Sequence, residues 1–313
     1  MKLRTIVLTW AVLAAAAQVL AEQPLTDKLP AKTLAYVGWS GRSLVLDGSL
    51  AGQMLIKEPA VGRILAGVRE LLVKDIGGES DRKAFDAGWA LAGIAWQKPI
   101  ALAVTDVRAD NGPPMPRVVL LIDLGADRAE FSAKLDALLT ELAAKLGEGA
   151  ETRRTVGTVE ARAFRLDESA TVTLGYLGET FFATFGDGLA EELIQLKPEA
   201  SLRTNKAFAA AMQEVGGENE QLSYYVDVES LKAKLLPPAP AGEPVASGPR
   251  GQEPDPRMVL DALGVGRLSA VAGSVRIVDR GMYTRTRFFT PAPHQGLLML
   301  LTGGTLSDAD LSD

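Results

Sequence analysis

Short apolar segments joined in pairs by tight turns run through most of this chain. Residues 100–104 alternate as a strand, residues 118–122 form a continuous apolar run, and Asn111-Gly112-Pro113-Pro114 lies between them. This pattern predicts a β-hairpin, because Gly, Pro and Asn favour turns while alternation favours half-buried strands. Residues 268–278 and 282–289, around a Gly-containing turn, predict a second hairpin. Because hairpins pair their strands antiparallel, the chain is limited to folds that contain antiparallel sheet.

Further strands and helices are predicted from the same kind of periodicity. Residues 159–166, 171–176 and 180–185 have the length and turn spacing of a three-stranded meander. The clearest helix opens with Asp127 and Glu130 in capping-box spacing. Apolar residues then follow at helical spacing, namely Phe131, Leu135, Leu138, Leu139, Leu142 and Leu146. Other helices are predicted at residues 61–72, 189–196, 206–215 and 231–236.

A strand followed by a helix occurs twice in the predicted order. Residues 34–39 and 222–228 each predict such a strand, and Tyr36-Val37 in the first matches Tyr225-Val226 in the second. The repetition indicates an internal duplication, although the second half lacks room for all the helices of the first. We therefore expect an α+β fold, with antiparallel sheet or sheets built from hairpins and meanders and with helices packed on one face.

The first residues have the composition of a secretory signal peptide. Lys2 and Arg4 precede a mostly apolar run at residues 5–17, and Val19-Leu20-Ala21 has the small-residue spacing of a cleavage site. The run is about half the roughly 20 apolar residues that a membrane span requires, which disfavours the alternative of a retained anchor. We expect residues 1–21 to be removed and the protein to be exported, either to the periplasm or to the extracellular space.

The mature chain, residues 22–313, is acidic and free of cysteine. Its formal charge falls from −6 to −8 when the two basic residues of the signal are removed, which disfavours nucleic acid as a partner. The absence of cysteine excludes disulfides, thiolate metal sites and a lipid anchor. The later apolar run at residues 296–301 is too short to cross a membrane, so we expect no transmembrane span after cleavage.

The length of the mature chain is sufficient for one large α+β domain or for two fused halves, at about 22–200 and 201–313. Residues 237–256 are rich in proline and glycine and poor in large apolar side chains. Such a composition predicts a disordered loop. The hairpin that follows is too small to fold alone, so the loop is expected to lie inside a domain.

Catalytic and metal-binding motifs that need histidine are excluded by composition. His294 is the only histidine, and it lies between Pro293 and Gln295 in a predicted surface loop. A histidine-based triad or a multi-histidine metal site therefore cannot form. The nucleophile elbow, the P-loop and the dinucleotide fingerprint are also absent from the sequence. We expect neither a cofactor nor a metal.

Pairs of carboxylates are the remaining candidates for catalysis. Asp227 and Glu229 are two residues apart on a predicted strand, which places them on one face about 7 Å apart, within the range that glycosidases use. The alternative is that they cap or flank the helix predicted near Leu231. Asp106 and Asp123 are expected opposite Val118 and Ala101, at opposite ends of their hairpin, and therefore do not form a pair.

Aromatic and basic side chains are the candidates for binding. Trp39, Trp89 and Trp96 could line a groove, although the spacing of the last two in a predicted helix is also typical of core packing. Arg285 and Arg287 lie on one face of the last predicted strand and could meet an anionic ligand. The alternative is that they form the solvated side of an edge strand.

Three segments carry a resemblance to a known family. They are residues 29–37, which read Leu-Pro-Ala-Lys-Thr-Leu-Ala-Tyr-Val, the segment Asn205-Lys-Ala-Phe208, and the segment Tyr224-Tyr-Val-Asp-Val228. At these three places the chain resembles a bacterial secreted family, domain of unknown function thirty-three fifty-two. The resemblance covers most of the mature chain and implies an exported envelope protein. It carries over no activity and no site. The chain has Ala31-Lys32-Thr33 where the family often reads Ala-Asp-Thr, so no role for that acid carries over either.

Two functions remain from different classes. Export, a large apolar content and the lack of a catalytic constellation favour a non-catalytic envelope protein that binds another protein or an apolar ligand. The alternative is a carboxylate-dependent hydrolase of envelope glycans or peptides, which depends on Asp227 and Glu229 alone. The sequence leaves the oligomeric state open.

Overall fold

We describe the fold from a computed structural model that covers residues 25–54, 58–74, 78–108, 114–146, 149, 151–165, 171–217, 220–236 and 265–291. The expected signal peptide at residues 1–21 and the expected loop at residues 237–256 lie outside the described residues. His294 and the apolar run at residues 296–301 lie outside them as well.

Ten strands form one antiparallel sheet, which confirms the predicted α+β class. The strands are β1 (Ala35–Trp39), β2 (Ile100–Arg108), β3 (Met115–Asp123), β4 (Glu151–Val156), β5 (Val159–Arg165), β6 (Thr171–Leu177), β7 (Thr180–Phe185), β8 (Leu222–Asp227), β9 (Ala270–Val278) and β10 (Gly281–Phe289). Their order across the sheet is β10-β9-β8-β1-β2-β3-β7-β6-β5-β4. Both predicted hairpins and the predicted meander are present as β2–β3, β9–β10 and β5–β6–β7.

The helices fall in the connections between hairpins. They are α1 (Leu44–Gly48), α2 (Leu50–Gly52), α3 (Pro59–Lys74), α4 (Glu79–Ala95), α5 (Arg128–Leu146), α6 (Leu189–Ile194), α7 (Lys206–Val215) and α8 (Val228–Leu235). The limits of α7 illustrate the local causes. The Asn205 side chain accepts hydrogen bonds from the N–H groups of Ala207 and Phe208, and Gly216 ends the helix at φ 110°.

Helices lie on both faces of the sheet, whereas the sequence predicted them on one face. On the first face, α6 and α7 pack over a core that contains Tyr36 and Tyr225. On the second face, α5 and the end of α4 cover strands β3, β5 and β7 through a core that contains Phe131 and Phe181. The physical reason is that these strands are apolar on both surfaces and so need cover on each.

The middle of the sheet has an approximate two-fold arrangement. Strands β1 and β8 pair with Tyr36 opposite Tyr225, and each is followed on its outer side by a hairpin, β2–β3 or β9–β10. The helix that follows each strand lies against strands beyond it, since α1 contacts β9 and α8 contacts both β2 and β9. Each part of the chain thus contributes a strand, a helix and a hairpin to one continuous sheet.

The register of the β2–β3 hairpin differs from the expected one. Val104 lies opposite Val118 and Ala101 opposite Leu121, so Asp106 faces Arg117 and not Val118. A bulge between Val104 and Asp106 causes part of the shift, since it adds one unpaired residue to β2. Asp106 and Asp123 still occupy opposite ends of the hairpin, as expected.

Candidate functional site

An apolar surface lies exposed on the second face of the sheet, across strands β2, β1, β8, β9 and β10. We call this surface the open face. Its exposed side chains are Val37, Leu102, Phe288 and Met282, with 43%, 45%, 49% and 61% of their surface accessible. Half-buried neighbours on the same face are Ala35, Trp39, Val104, Leu222, Tyr224, Val226, Val271 and Val275.

A tyrosine and a glycine give the open face a flat centre. Gly273 lies opposite Tyr224 in the β8–β9 pair, and a Cβ atom at Gly273 would lie 2.1 Å from the Cζ atom of Tyr224. The tyrosine ring therefore lies directly over the glycine, where no other residue type leaves room. Its hydroxyl group reaches Thr286 on β10 at 2.6 Å from Oγ1. The ring thus bridges three strands and provides one polar group within an apolar surface.

Two of the three predicted binding tryptophans meet at one end of the open face. The rings of Trp39 and Trp96 stack at 4.7 Å with an interplanar angle of 20°. The indole N–H of Trp39 also donates to the Trp96 carbonyl oxygen at 2.9 Å. Trp89 is not part of this pair and stacks on Phe85 at 6.0 Å. The structure therefore joins Trp39 and Trp96 and separates Trp89 from them.

Helix α3 presents a second exposed apolar surface. Ile64, Val68 and Leu71 recur at helical spacing and are all exposed. Arg69 on the same helix forms an ion pair with Asp86 of α4 at 2.5 Å. This helix therefore offers a natural comparison for the open face, since its apolar side chains are equally accessible.

The candidate catalytic acids occupy a helix cap. One carboxylate oxygen of Asp227 accepts from the Ser230 N–H at 2.9 Å, and the other accepts from the Ser230 hydroxyl at 2.8 Å. Both oxygens are therefore engaged at the start of α8, which is the alternative that the sequence offered. Glu229 lies within the first turn of α8, and its side chain is exposed. The arrangement provides a stable helix start and no enclosed pair of acids.

Arg285 lines a cavity, whereas Arg287 does not. The cavity has a volume of about 330 Å³ and lies between the end of α7 and the β9–β10 hairpin. Its lining includes Val215, Glu220, Ser274, Arg276, Val278, Tyr283 and Arg285. Arg287 lies two residues further along β10, where its guanidinium group pairs with Glu214 at 2.6 Å. The sequence grouped the two arginines, and the structure assigns them different surroundings.

Other charged groups hold the helices to the sheet. Arg117 on β3, which is buried, donates to the Glu192 carboxylate at 3.2 Å and to the Asp187 carbonyl oxygen at 3.1 Å. Arg154 on β4 pairs with Glu191 at 2.5 Å. These contacts attach α6 to two strands. Within the described part of the chain, no group of three or more acidic or histidine side chains is arranged to hold a metal ion.

Comparisons with known proteins add no relative. No protein-family profile, no curated protein and no solved structure matches this chain. The resemblance to the secreted family of unknown function therefore stays a prediction. Among the described residues, no helix has both the length and the apolar character that crossing a membrane requires.

The sequence interpretation missed the open face, although a signal for it was present. Strands β1, β2, β8 and β9 carry apolar residues at both odd and even positions. In an antiparallel sheet, such strands need cover on both faces or leave one apolar face exposed. Which outcome applies depends on where the helices lie, and helix position cannot be read from strand periodicity.

Proposed function

We propose that this protein is an exported, non-catalytic binding protein of the cell envelope, and that its open face holds an apolar ligand. The observation that carries the proposal is the set of exposed apolar side chains on this face of five strands, in which Val37 and Leu102 lie directly opposite each other on β1 and β2 and Phe288 lies at the edge on β10. Contact with water is unfavourable for such a surface, and large apolar patches on proteins mark sites of binding. The export part of the proposal rests on the composition of residues 1–21.

The size of the open face favours a small ligand over a protein partner. Five strands about 4.8 Å apart, and about seven residues of roughly 3.3 Å each from Met282 to Phe288, span about 24 by 23 Å, or roughly 550 Å² in projection. A standard protein interface buries about 800 Å² of accessible surface on each partner. The projected extent of the open face is below that figure, whereas a small apolar molecule can bury most of its own surface on it.

The engagement of the candidate acids supports a non-catalytic role. Asp227 uses both carboxylate oxygens in the cap of α8. This role at the helix start is the alternative to catalysis that the sequence offered for Asp227. Glu229 is exposed in the first turn of α8.

Native mass spectrometry of protein purified from its own envelope, without refolding, tests whether a ligand is retained. We expect a reproducible small-molecule adduct. A double variant, Val37→Gln with Leu102→Gln, places two amides on the open face, and each unpaired polar group that a ligand buries costs about 1–3 kcal/mol. We therefore expect the variant to lose the adduct and to bind the uncharged dye Nile red at least about tenfold more weakly.

The matched control is a double variant in α3, Ile64→Gln with Leu71→Gln, because these side chains are also exposed and apolar. We expect it to retain both the adduct and the affinity for the dye. Equal loss in both double variants would show that the probes follow general surface hydrophobicity. Recovery of a protein in place of a small molecule would keep a binding role and overturn the ligand class.

A further inference from the structure

The cavity beside Arg285 lies on the first face of the sheet, opposite the open face. Arg276 pairs with Tyr283 in the β9–β10 register, and Ser274 pairs with Arg285. Arg276 and Arg285 are therefore diagonal neighbours on one face of two adjacent strands, with a backbone separation of about 7–8 Å. Two guanidinium groups thus line the same small cavity.

The charges of the described residues around this cavity do not balance. Glu220 is buried, and its two carboxylate oxygens accept from Nε of Arg276 at 3.0 and 2.9 Å. Arg276 Nη2 donates to the same carboxylate, which completes a bidentate pair. Among the described residues, Arg285 has no ion-pair partner, and the next acid along α7, Glu214, is paired with Arg287. The described lining of the cavity therefore has one cationic group in excess.

Other donors occupy part of the nearby helix end. The C-terminal carbonyl groups of a helix attract cations unless other donors satisfy them. Here the N–H groups of Gly216 and Gly217 both donate to the Met212 carbonyl oxygen, and the Ser274 hydroxyl donates to the Val215 carbonyl oxygen. Two of the last carbonyl groups of α7 are thus occupied without the guanidinium group of Arg285.

We infer that this cavity binds the carboxylate group of a small monoanionic ligand with a short apolar body. Arginine side chains bind carboxylates through paired hydrogen bonds, and the fixed Arg276 beside Arg285 favours an anion between them. Val215, Val278 and Tyr283 contribute the apolar part of the lining, and a volume of about 330 Å³ suits a small molecule or the last residue of a peptide. This inference does not rest on the proposed function of the open face.

The test is a titration of the mature protein with phenylacetate, followed by the NMR signals of the arginine side chains. Phenylacetamide, which has the same shape without the charge, is the ligand control. We expect phenylacetate to bind and to shift the Arg285 and Arg276 signals, and phenylacetamide to bind at least about tenfold more weakly. Arg285→Gln should weaken phenylacetate binding by about tenfold or more, and Arg287→Gln by less than about twofold.

A second arm compares an acetylated tetrapeptide that ends in a free phenylalanine carboxylate with phenylacetate. Tighter binding of the peptide would identify a chain terminus as the source of the carboxylate, and binding of phenylacetate alone would identify a free acid. The inference is overturned if neither carboxylate binds, if the amide binds as well as the acid, or if Arg285→Gln and Arg287→Gln behave alike. Because Arg285 is exposed and has no ion-pair partner in the described part of the chain, its substitution is expected to leave the fold intact.

Discussion

Replacement of Gly273 by alanine tests whether the Tyr224 ring lies across the open face as described. The new Cβ atom would lie 2.1 Å from Cζ and 2.2 Å from Oη of Tyr224, far inside normal contact distance. The ring must therefore move, and its hydrogen bond to Thr286, worth about 0.5–1.5 kcal/mol, is lost. Steric displacement of a packed side chain adds about 1–3 kcal/mol. Relative to glycine, alanine also stabilises the protein by about 0.4–1 kcal/mol, because it restricts the conformations of the unfolded chain.

We expect a net loss of about 2 kcal/mol, within a range of roughly 0.5–4 kcal/mol, in the free energy of unfolding, measured with urea. The same substitution in a Tyr224→Ala background should be neutral or slightly stabilising, because the clash no longer exists. Gly281→Ala, in the same hairpin, is the matched control, since nothing lies within 4 Å of the new Cβ atom. An equal cost of Gly273→Ala in both backgrounds would refute the placement of the ring over the glycine.

Phe208→Ala should lower the free energy of unfolding by about 3–5 kcal/mol, because its buried ring meets Tyr36 and Tyr225 edge-on at 5.5 and 5.3 Å. Phe288→Ala at the exposed sheet edge should cost about 1 kcal/mol or less, and urea unfolding that ranks the two substitutions in the opposite order would contradict the assignment of the core. The Arg162 guanidinium group, which hydrogen-bonds to Glu151, holds the pKa of that carboxyl group below its ordinary value of 4.5. The pair therefore stabilises the fold above the ordinary pKa, and this stabilisation is lost as the pH falls through the lowered pKa. Glu151→Gln should make the free energy of unfolding depend less on pH in the acid range. An unchanged dependence would count against the pair. Burial raises the pKa of Tyr225 from 10.0 to about 12, with a smaller contribution from the charge of Asp227. The neutral, buried Tyr225 therefore stabilises the fold fully below pH 10, and this stabilisation is lost as the pH rises towards 12. A titration followed by tyrosinate absorbance should show one group that ionises late, and Tyr225→Phe should remove it.

Local signals predicted the elements that depend on local causes. The predicted limits of β7 and α7, at residues 180–185 and 206–215, agree with the structure. The helix has an Asn cap at one end and a glycine at the other, so the sequence contains both limits. Strand β4 was not predicted, because Glu151–Val156 carries charged and polar residues in place of alternating apolar ones. Its position at the edge of the sheet explains this composition, since edge strands tolerate charge.

Features that depend on distant parts of the chain could not be predicted. The bulge at Thr105 changes the register of β2–β3, and periodicity does not reveal a single inserted residue. The cavity beside Arg285 needs the end of α7 to pack against β9, which joins segments about 60 residues apart. Sequence spacing grouped Arg285 with Arg287 because both lie on one strand face. The structure distinguishes them, because Arg287 pairs with Glu214 on the neighbouring helix and Arg285 lines the cavity.

The pairing of β1 with β8 has a consequence for how the chain folds. Tyr36 and Tyr225 lie opposite each other but are separated by about 190 residues, whereas the hairpins close within a few residues. We expect the hairpins to form first and the central pair to join them late, because closing a long loop is entropically costly. During synthesis, the apolar strand β1 then has an unpaired edge until β8 has emerged. A chaperone that protects this edge would therefore act on the first two thirds of the chain.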